Sequence, residues 1–245
     1  MEKDRTKASQ DGGVDNNYYE VFDLGLNGRF LSFGLVGYWK MDEGSGTTAY
    51  GNNGTLVNGP TWTTGKVGGA LSFDGVDDYV NFGDVLDIGT SDWSYGCWFK
   101  ADWTAASQTK SIIAKSRYGS NIGRYYLVFE SGYLRTVLQT SGGDKIINTS
   151  ETPYLDGNWH HAFVTIDRDG LMKLYVDGVL KGSIDVSAGA FNNYNTPYPF
   201  GIGAYQNVGG TAFDRHWFKG LIDEVRVYNR ALSDAEIKAI YEATK

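Results

Sequence analysis

Between Gly220 and Ala243 the chain reads GLIDEVRVYNRALSDAEIKAIYEA, a strand that passes through a short connection into a capped helix. Leu221, Val225 and Val227 are strand formers, and the change from period two to helical spacing falls at Asn229-Arg230. The helix start is well marked. Ser233 is placed to accept from the backbone N–H of Glu236 while the Glu236 side chain reaches back to Ser233, and Leu232 can staple onto Ile237 across that box. Ile237, Ile240 and Tyr241 then form one apolar stripe. Asp223 breaks the apolar run of the strand. Unless it simply faces outward, a charged side chain there needs a partner, either a metal or backbone donors.

A chain of 245 residues rich in Gly, Tyr, Trp, Thr and Val has room for one all-β sandwich. With 22 basic against 29 acidic side chains the net charge is -7, and no basic stripe is present, so a nucleic-acid backbone is excluded as a partner. Cys97 is the single cysteine and lies in a buried-strand pattern, WSYGCWF, which predicts an inert core thiol. No stretch is long enough to insert in a membrane. The start, MEKDRTKASQDGG, has basic residues but no apolar segment after them, so no signal peptide is read in it.

Met1 to about Asn17 is charged and without period, whereas YYEVFDLGLNGRFLSF from Tyr18 to Phe33 offers Tyr19, Val21, Leu24, Leu26 and Phe30 around an Asn27-Gly28 dipeptide. Residues 1–34 are therefore expected to be an extended arm that lies on its own domain or docks on another copy, and 35–245 the domain proper.

From Leu35 onward, motifs follow in order: YWKMDEGSG at Tyr38–Gly46, NNGTL at Asn52–Leu56, GGALSFDGVDDYV at Gly68–Val80, DGNWHH at Asp156–His161 and LYVDG at Leu174–Gly178. Together with GLIDEVRVYNRALSDAEI they resemble laminin-G-like (LamG-like jelly roll) domains of the concanavalin A-like lectin/glucanase superfamily. The hairpins agree independently. Trp159–Ile166 and Leu171–Val176 flank Asp169-Gly170, Asp177-Gly178 turns into Val179-Leu180, and Tyr125–Glu130 meets Tyr133–Gln139 across Ser131-Gly132. The predicted fold is all-β, a two-sheet antiparallel jelly-roll sandwich with a short C-terminal helix and the N-terminal arm.

Glycanases similar to this family carry two glutamates and an aspartate at alternate positions of one strand, and a retaining glycosidase needs its two carboxyls ~5 to 5.5 Å apart. No such strand occurs. Glu20 and Asp23 have the wrong spacing, Glu130 is single, and Asp167 with Asp169 occupies a turn. No catalytic residue is therefore predicted, and no enzyme. His160 and His161 are adjacent and point to opposite faces of a strand, so they cannot share a metal. The resemblance makes them a structural pair, one partnered inside and one solvated.

The resemblance also implies one structural Ca2+, with Asp223 on the last strand, Asp42 or its neighbours near the first strand, and Gly68 or Gly69 as its residues. Asp77 and Asp78 form a second candidate, or only cap a turn. Trp103, Tyr118, Tyr194, Tyr198 and Trp217 lie in loop-like surroundings and are the candidate ligand-binding aromatics, while Trp39, Trp93, Trp98 and Trp159 belong to strand-like, core-forming runs. The expected function is a non-catalytic, extracellular or virion-surface binding and adhesion module that recognises a glycan or a surface protein. The alternatives are a structural subunit or decoration protein of a filament or virion, assembled with other copies through the arm, and, more weakly, a glycan-active enzyme.

Overall fold

The computed structural model describes residues 31–44, 48–49, 53–103, 108–115, 123–150, 153–190, 192–206 and 213–245. The strands, in chain order, are β1 (Leu35–Trp39), β2 (Thr48–Ala49), β3 (Gly54–Val57), β4 (Thr61–Thr64), β5 (Gly69–Asp74), β6 (Tyr79–Asn81), β7 (Trp93–Ala101), β8 (Lys110–Lys115) and β9 (Tyr125–Glu130). They continue as β10 (Tyr133–Thr140), β11 (Gly143–Asn148), β12 (Trp159–Ile166), β13 (Leu171–Val176), β14 (Val179–Asp185), β15 (Phe200–Ile202), β16 (Tyr205–Gln206), β17 (Phe213–Arg215) and β18 (Lys219–Tyr228), and the chain ends in helix α1 (Asp234–Thr244).

Two antiparallel sheets face each other. One has the order β14-β13-β12-β7-β18-β5-β4 with β1 also on β18; the other runs β11-β10-β9-β8-β15-β6-β3-β2, and β16 with β17 forms a separate ribbon. This is the predicted jelly-roll sandwich, and the hairpins fall where the Asp-Gly and Ser-Gly turns place them. Alternation puts Trp39, Phe82 and Phe200 in one aromatic contact of the inner layer, with ring centroids 4.5 to 5.5 Å apart, and Trp93 against Tyr125 and Tyr194 in another. Cys97 is buried there and free, and burial pushes its thiol pKa up, which keeps it protonated and inert.

Helix α1 lies on the outer face of the first sheet. The capping box forms as expected: Ser233 Oγ accepts from Glu236 N at 3.3 Å and Glu236 Oε2 accepts from Ser233 N at 2.9 Å. Leu232 and Ile237 pack together with Phe163, Tyr175, Tyr228 and Ile240. Trp98 also belongs to this outer layer, its Nε1 donating to Thr244 Oγ1 at 2.8 Å; Trp39 and Trp93 are buried in the inner layer, and Trp159 at the start of β12 is half-buried. Among the described residues no helix is long and apolar enough to cross a membrane.

The arm residues Tyr19, Val21, Leu24, Leu26 and Phe30 lie outside the described residues. Of the residues that follow them, Leu31, Phe33 and Gly34 bond to their own domain: Leu31 joins the cluster under α1, and its carbonyl accepts from Tyr228 Oη at 2.9 Å. The Phe33 carbonyl accepts from Arg230 Nε at 2.7 Å and the Gly34 carbonyl from Asn229 N at 2.8 Å.

The histidine pair corrects the expectation from sequence. His160, at the rim, is the partnered one, with Nδ1 2.8 Å from Asp177 Oδ2 and Nε2 3.1 Å from Asp156 Oδ1. His161 is 1 % exposed, packed among Trp98, Phe163 and Tyr241, and neither ring nitrogen has a hydrogen-bond partner. The reason is the helix, which covers the face that a bare strand would leave to solvent. Burial, with Arg226 nearby, drives the His161 pKa down to about 3, so it is neutral. At His160 burial lowers the pKa, but the two carboxylates outweigh it and the net shift is upward from 6.5. The charged imidazole therefore contributes stability that is complete below 6.5 and is lost as pH rises through the raised value. Melting of wild type and His160→Gln from pH 5.5 to 8.5 checks this: the gap between them should narrow with rising pH, and a constant gap excludes the titration.

Candidate functional site

The residues implied for a metal converge where β18 changes neighbours. Its Lys219–Ile222 half pairs with β5 and its Val225–Tyr228 half with β1, and the change is made by a bulge, the register against β7 shifting between Asp223 and Arg226. Glu224 takes a positive φ of 53° there. The bulge puts two consecutive carboxylates on different tasks. Asp223, 0 % exposed, turns to the 65–68 turn, where its Oδ2 accepts from Lys66 N at 2.9 Å and Val67 N at 3.0 Å. Its Oδ1 is buried without a partner. Burial, opposed by the Val67 N–H and reinforced by the Glu224 carboxylate, pushes the Asp223 pKa up to about 7.

Asp42 reaches the same turn from the end of β1, its Oδ1 accepting from Gly69 N at 2.6 Å. The segments are packed so closely that a Cβ at Gly65 would strike the Gly69 carbonyl and come within 2.7 Å of Asp223 Oδ2, and one at Gly68, where φ is +64°, would strike Asp42 Oδ1. Asp223, Asp42, Gly68 and Gly69 thus meet at one locus, where one Asp223 oxygen has backbone donors and the other is buried without a partner. An orphaned carboxylate oxygen beside an exposed carboxylate and loop carbonyls is a donor set that suits a hard cation.

The second acidic group gains Asp74. One ligand atom each from Asp74, Asp77 and Asp78 lies within 4.8 Å of the others. Asp74 Oδ1 accepts from Val76 N at 2.7 Å and Asp78 Oδ2 from Asp74 N at 2.9 Å, so these carboxylates close the β5–β6 turn.

The loop aromatics do not form a common surface. Tyr194 is 1 % exposed and packs tilted against Trp93 with centroids 5.1 Å apart, which overturns its reading as a ligand platform: the Asn- and Pro-rich segment around it folds its ring into the core. Trp103 is wedged edge-on against Phe129 and Phe218, Trp217 packs beside Tyr79 and Ala204, and Tyr198 is half-buried. Tyr118 lies outside the described residues.

A different surface emerges from register. In β9 and β10 the residues Tyr125, Leu127, Phe129, Leu134 and Leu138 point inward, so their alternates build the outer face of the second sheet. Gln139 N donates to the Arg124 carbonyl at 2.9 Å and Gln139 pairs with Asp144, which sets Arg124, Gln139 and Asp144 in one row. Tyr126, Val137 and Ile146 form the next row, and Val128, Arg135 and Asn148 the third. An apolar stripe thus runs between two polar rows. Arg124 binds Asp144 at 2.5 Å and Arg135 pairs with Glu130, while Tyr205 stands edge-on to Tyr126 at 5.2 Å. Two polar atoms of the first row, Arg124 Nε and Gln139 Oε1, are buried without partners. The alternation in YYLVFE is a signal for the facing, and the Ser131-Gly132 hairpin sets Gln139 opposite Arg124; the pairing with β11 adds Asp144.

A family model of laminin-G type, described as the concanavalin A-like lectin/glucanases superfamily, matches residues 74–238. No curated protein matches the chain in sequence. Among solved structures it is similar to the binding domain of Paraclostridial mosquitocidal protein 1, with TM-score 0.69 and 15% identity over 87% of this chain and 53% of that one. It is also similar to the botulinum neurotoxin serotype D binding domain, at TM-score 0.64 and 17% identity over 86% and 51%. A third is the serotype D ligand-binding domain in complex with N-acetylneuraminic acid, at TM-score 0.59 and 16% identity over 86% and 51%. The chain spans about half the length of these structures.

Proposed function

The chain belongs to the concanavalin A-like lectin/glucanase superfamily, and on that premise we propose that it is a non-catalytic binding module that takes a glycan on the outer face of its second sheet. The observation that carries this reading is the polar row Arg124–Gln139–Asp144 beside the Tyr126–Val137–Ile146 stripe. The side chains of that row supply N–H donors and oxygen acceptors, and a sugar hydroxyl matches such a row by accepting from one group and donating to another. The C–H face of the sugar ring then lies on the Tyr126 ring and the aliphatic side chains next to it. The relatives in structure are binding domains, one of them solved with a sugar acid, which supports the class of ligand. Such a module works at the outside of a cell or on a particle.

The same proposal includes a structural calcium, held by Asp223 and Asp42 with carbonyls of the 65–69 turn. Calcium would supply positive charge and coordination there and no reaction step; its work would be to tie the turn to the first and last strands.

A glycan array on the full chain, followed by titration of the best binder, tests the ligand. Tyr126→Ala and Arg124→Ala should each weaken binding by about tenfold or more, the loss of one to two such contacts. Trp217→Ala should leave binding unchanged. No binder at millimolar sugar, or binding indifferent to both substitutions in variants that melt normally, overturns the assignment of this face.

A further inference from the structure

The end of the sandwich formed by the 82–90 and 192–199 loops is centred on a buried amine. Lys115 closes β8, between β9 and β15 in the second sheet, and is 0 % exposed. Its Nζ donates to the Val85 carbonyl at 2.7 Å, to Asp84 Oδ1 at 2.9 Å and to the Tyr198 carbonyl at 3.1 Å, and lies 3.1 Å from Asp87 Oδ1. Asp87 Oδ1 also accepts from Thr196 N at 3.2 Å, so the loop from β6 and the loop before β15 share the same centre. Two carboxylates and two carbonyls from irregular loops are the donor chemistry of a calcium cage, not of a surface salt bridge.

We propose that this is a cation site occupied by the chain's own side chain: Lys115 is a tethered cation in an oxygen cage that would otherwise take a hard divalent ion. A dissociable ion holds its loops only to the extent set by its concentration, whereas a covalently attached ammonium cannot leave. The contrast with Asp223 is direct. There Lys66, whose backbone N–H bonds Asp223, lays its ammonium over the Trp98 ring at 4.7 Å, and Asp223 Oδ1 is left without a partner. One loop junction of the domain thus carries its cation within the sequence, and the other leaves a buried carboxylate oxygen without a partner. The consequence is that the 82–90 and 192–199 loops keep their shape in chelator.

The test compares Lys115→Ala, which removes the amine and opens its space, with Lys115→Met, which removes the charge and fills the space. In calcium-free buffer both should melt roughly 3 to 12 °C below wild type, because two partly exposed carboxylates and two loop carbonyls lose their shared charged donor. Millimolar calcium chloride should return most of that loss to Lys115→Ala and not to Lys115→Met, each read relative to the calcium response of wild type. Equilibrium dialysis should find one more calcium per chain in Lys115→Ala than in wild type. Should Lys115→Ala fold only when refolded in calcium, that outcome supports the cage. Equal calcium counts in Lys115→Ala and wild type, a Lys115→Met that melts with wild type, or a Lys115→Ala that fails to fold even in calcium overturns it.

Discussion

Chelation of calcium is expected to lower the melting midpoint of the full chain by roughly 5 to 11 °C, taking free calcium at about one hundred times Kd before chelation. The locus ties three pieces together: the β18 bulge through Asp223, the 65–69 turn through its amides, and the end of β1 through Asp42. Asp223→Asn keeps an acceptor for Lys66 N and Val67 N but removes the charge, so this variant should melt near the chelated wild type and ignore added calcium. The pH dependence has a definite sign. With its pKa raised from 3.8 to about 7, metal-free Asp223 holds a proton in the folded form that the unfolded chain has released, so stability falls as pH rises across that interval. Calcium competes with the proton for the same carboxylate. The chelator effect should accordingly be large at pH 8 and small at pH 5.5. A midpoint that does not respond to chelation at pH 8, in protein shown to be free of metal, would falsify the site.

The second large effect is expected at Glu224→Ala, a loss of about 3 to 5 kcal/mol, or roughly 6 to 20 °C. Glu224 is 2 % exposed and accepts from Tyr38 Oη at 2.9 and 2.7 Å and from Arg226 Nη2 at 2.5 Å. Arg226 also donates to Tyr38 Oη at 2.9 Å, and its guanidinium lies 4.5 Å from the centre of the Tyr38 ring. Burial pushes the Tyr38 pKa up, so its hydroxyl stays a donor to the carboxylate. Without Glu224 the arginine is left beneath the surface with its charge uncompensated, which costs more than the pair contributes when intact. Glu224→Ala combined with Arg226→Met should therefore recover a substantial part of the loss. A double variant no more stable than Glu224→Ala would mean that packing, not charge, is what the glutamate supplies.

Local chemistry carried much of the architecture. The Ser233–Glu236 box, the Leu232–Ile237 staple and the hairpins at Asp169-Gly170 and Asp177-Gly178 each depend on residues a few positions apart, and all were legible in sequence. So was the oddity of Asp223, since a carboxylate in an apolar strand needs an explanation whatever surrounds it. The ordered motifs from Tyr38 to Gly178 brought the family into view, and with it the meeting of Asp42, Gly68 and Asp223.

What the tertiary structure alone decided is which faces are covered and which residues become neighbours across the sheets. Alternation assigns a side chain to one side of a strand, but it does not say that α1 roofs His161 or that the segment around Tyr194 folds back into the core. The Ser131-Gly132 hairpin legible in sequence already sets Gln139 opposite Arg124, but it does not add Asp144 of β11 to the row or say which face of the sheet the row occupies. Nothing in the residues around Lys115 marks it as a buried centre. Its role depends on oxygens from positions 84, 85, 87 and 198, brought together by two loops whose separation along the chain leaves no local trace. Contacts close in sequence follow from backbone and side-chain preference, whereas the Lys115 centre joins positions 30, 83 and, between its two loops, 109 residues apart, which only the folded molecule specifies.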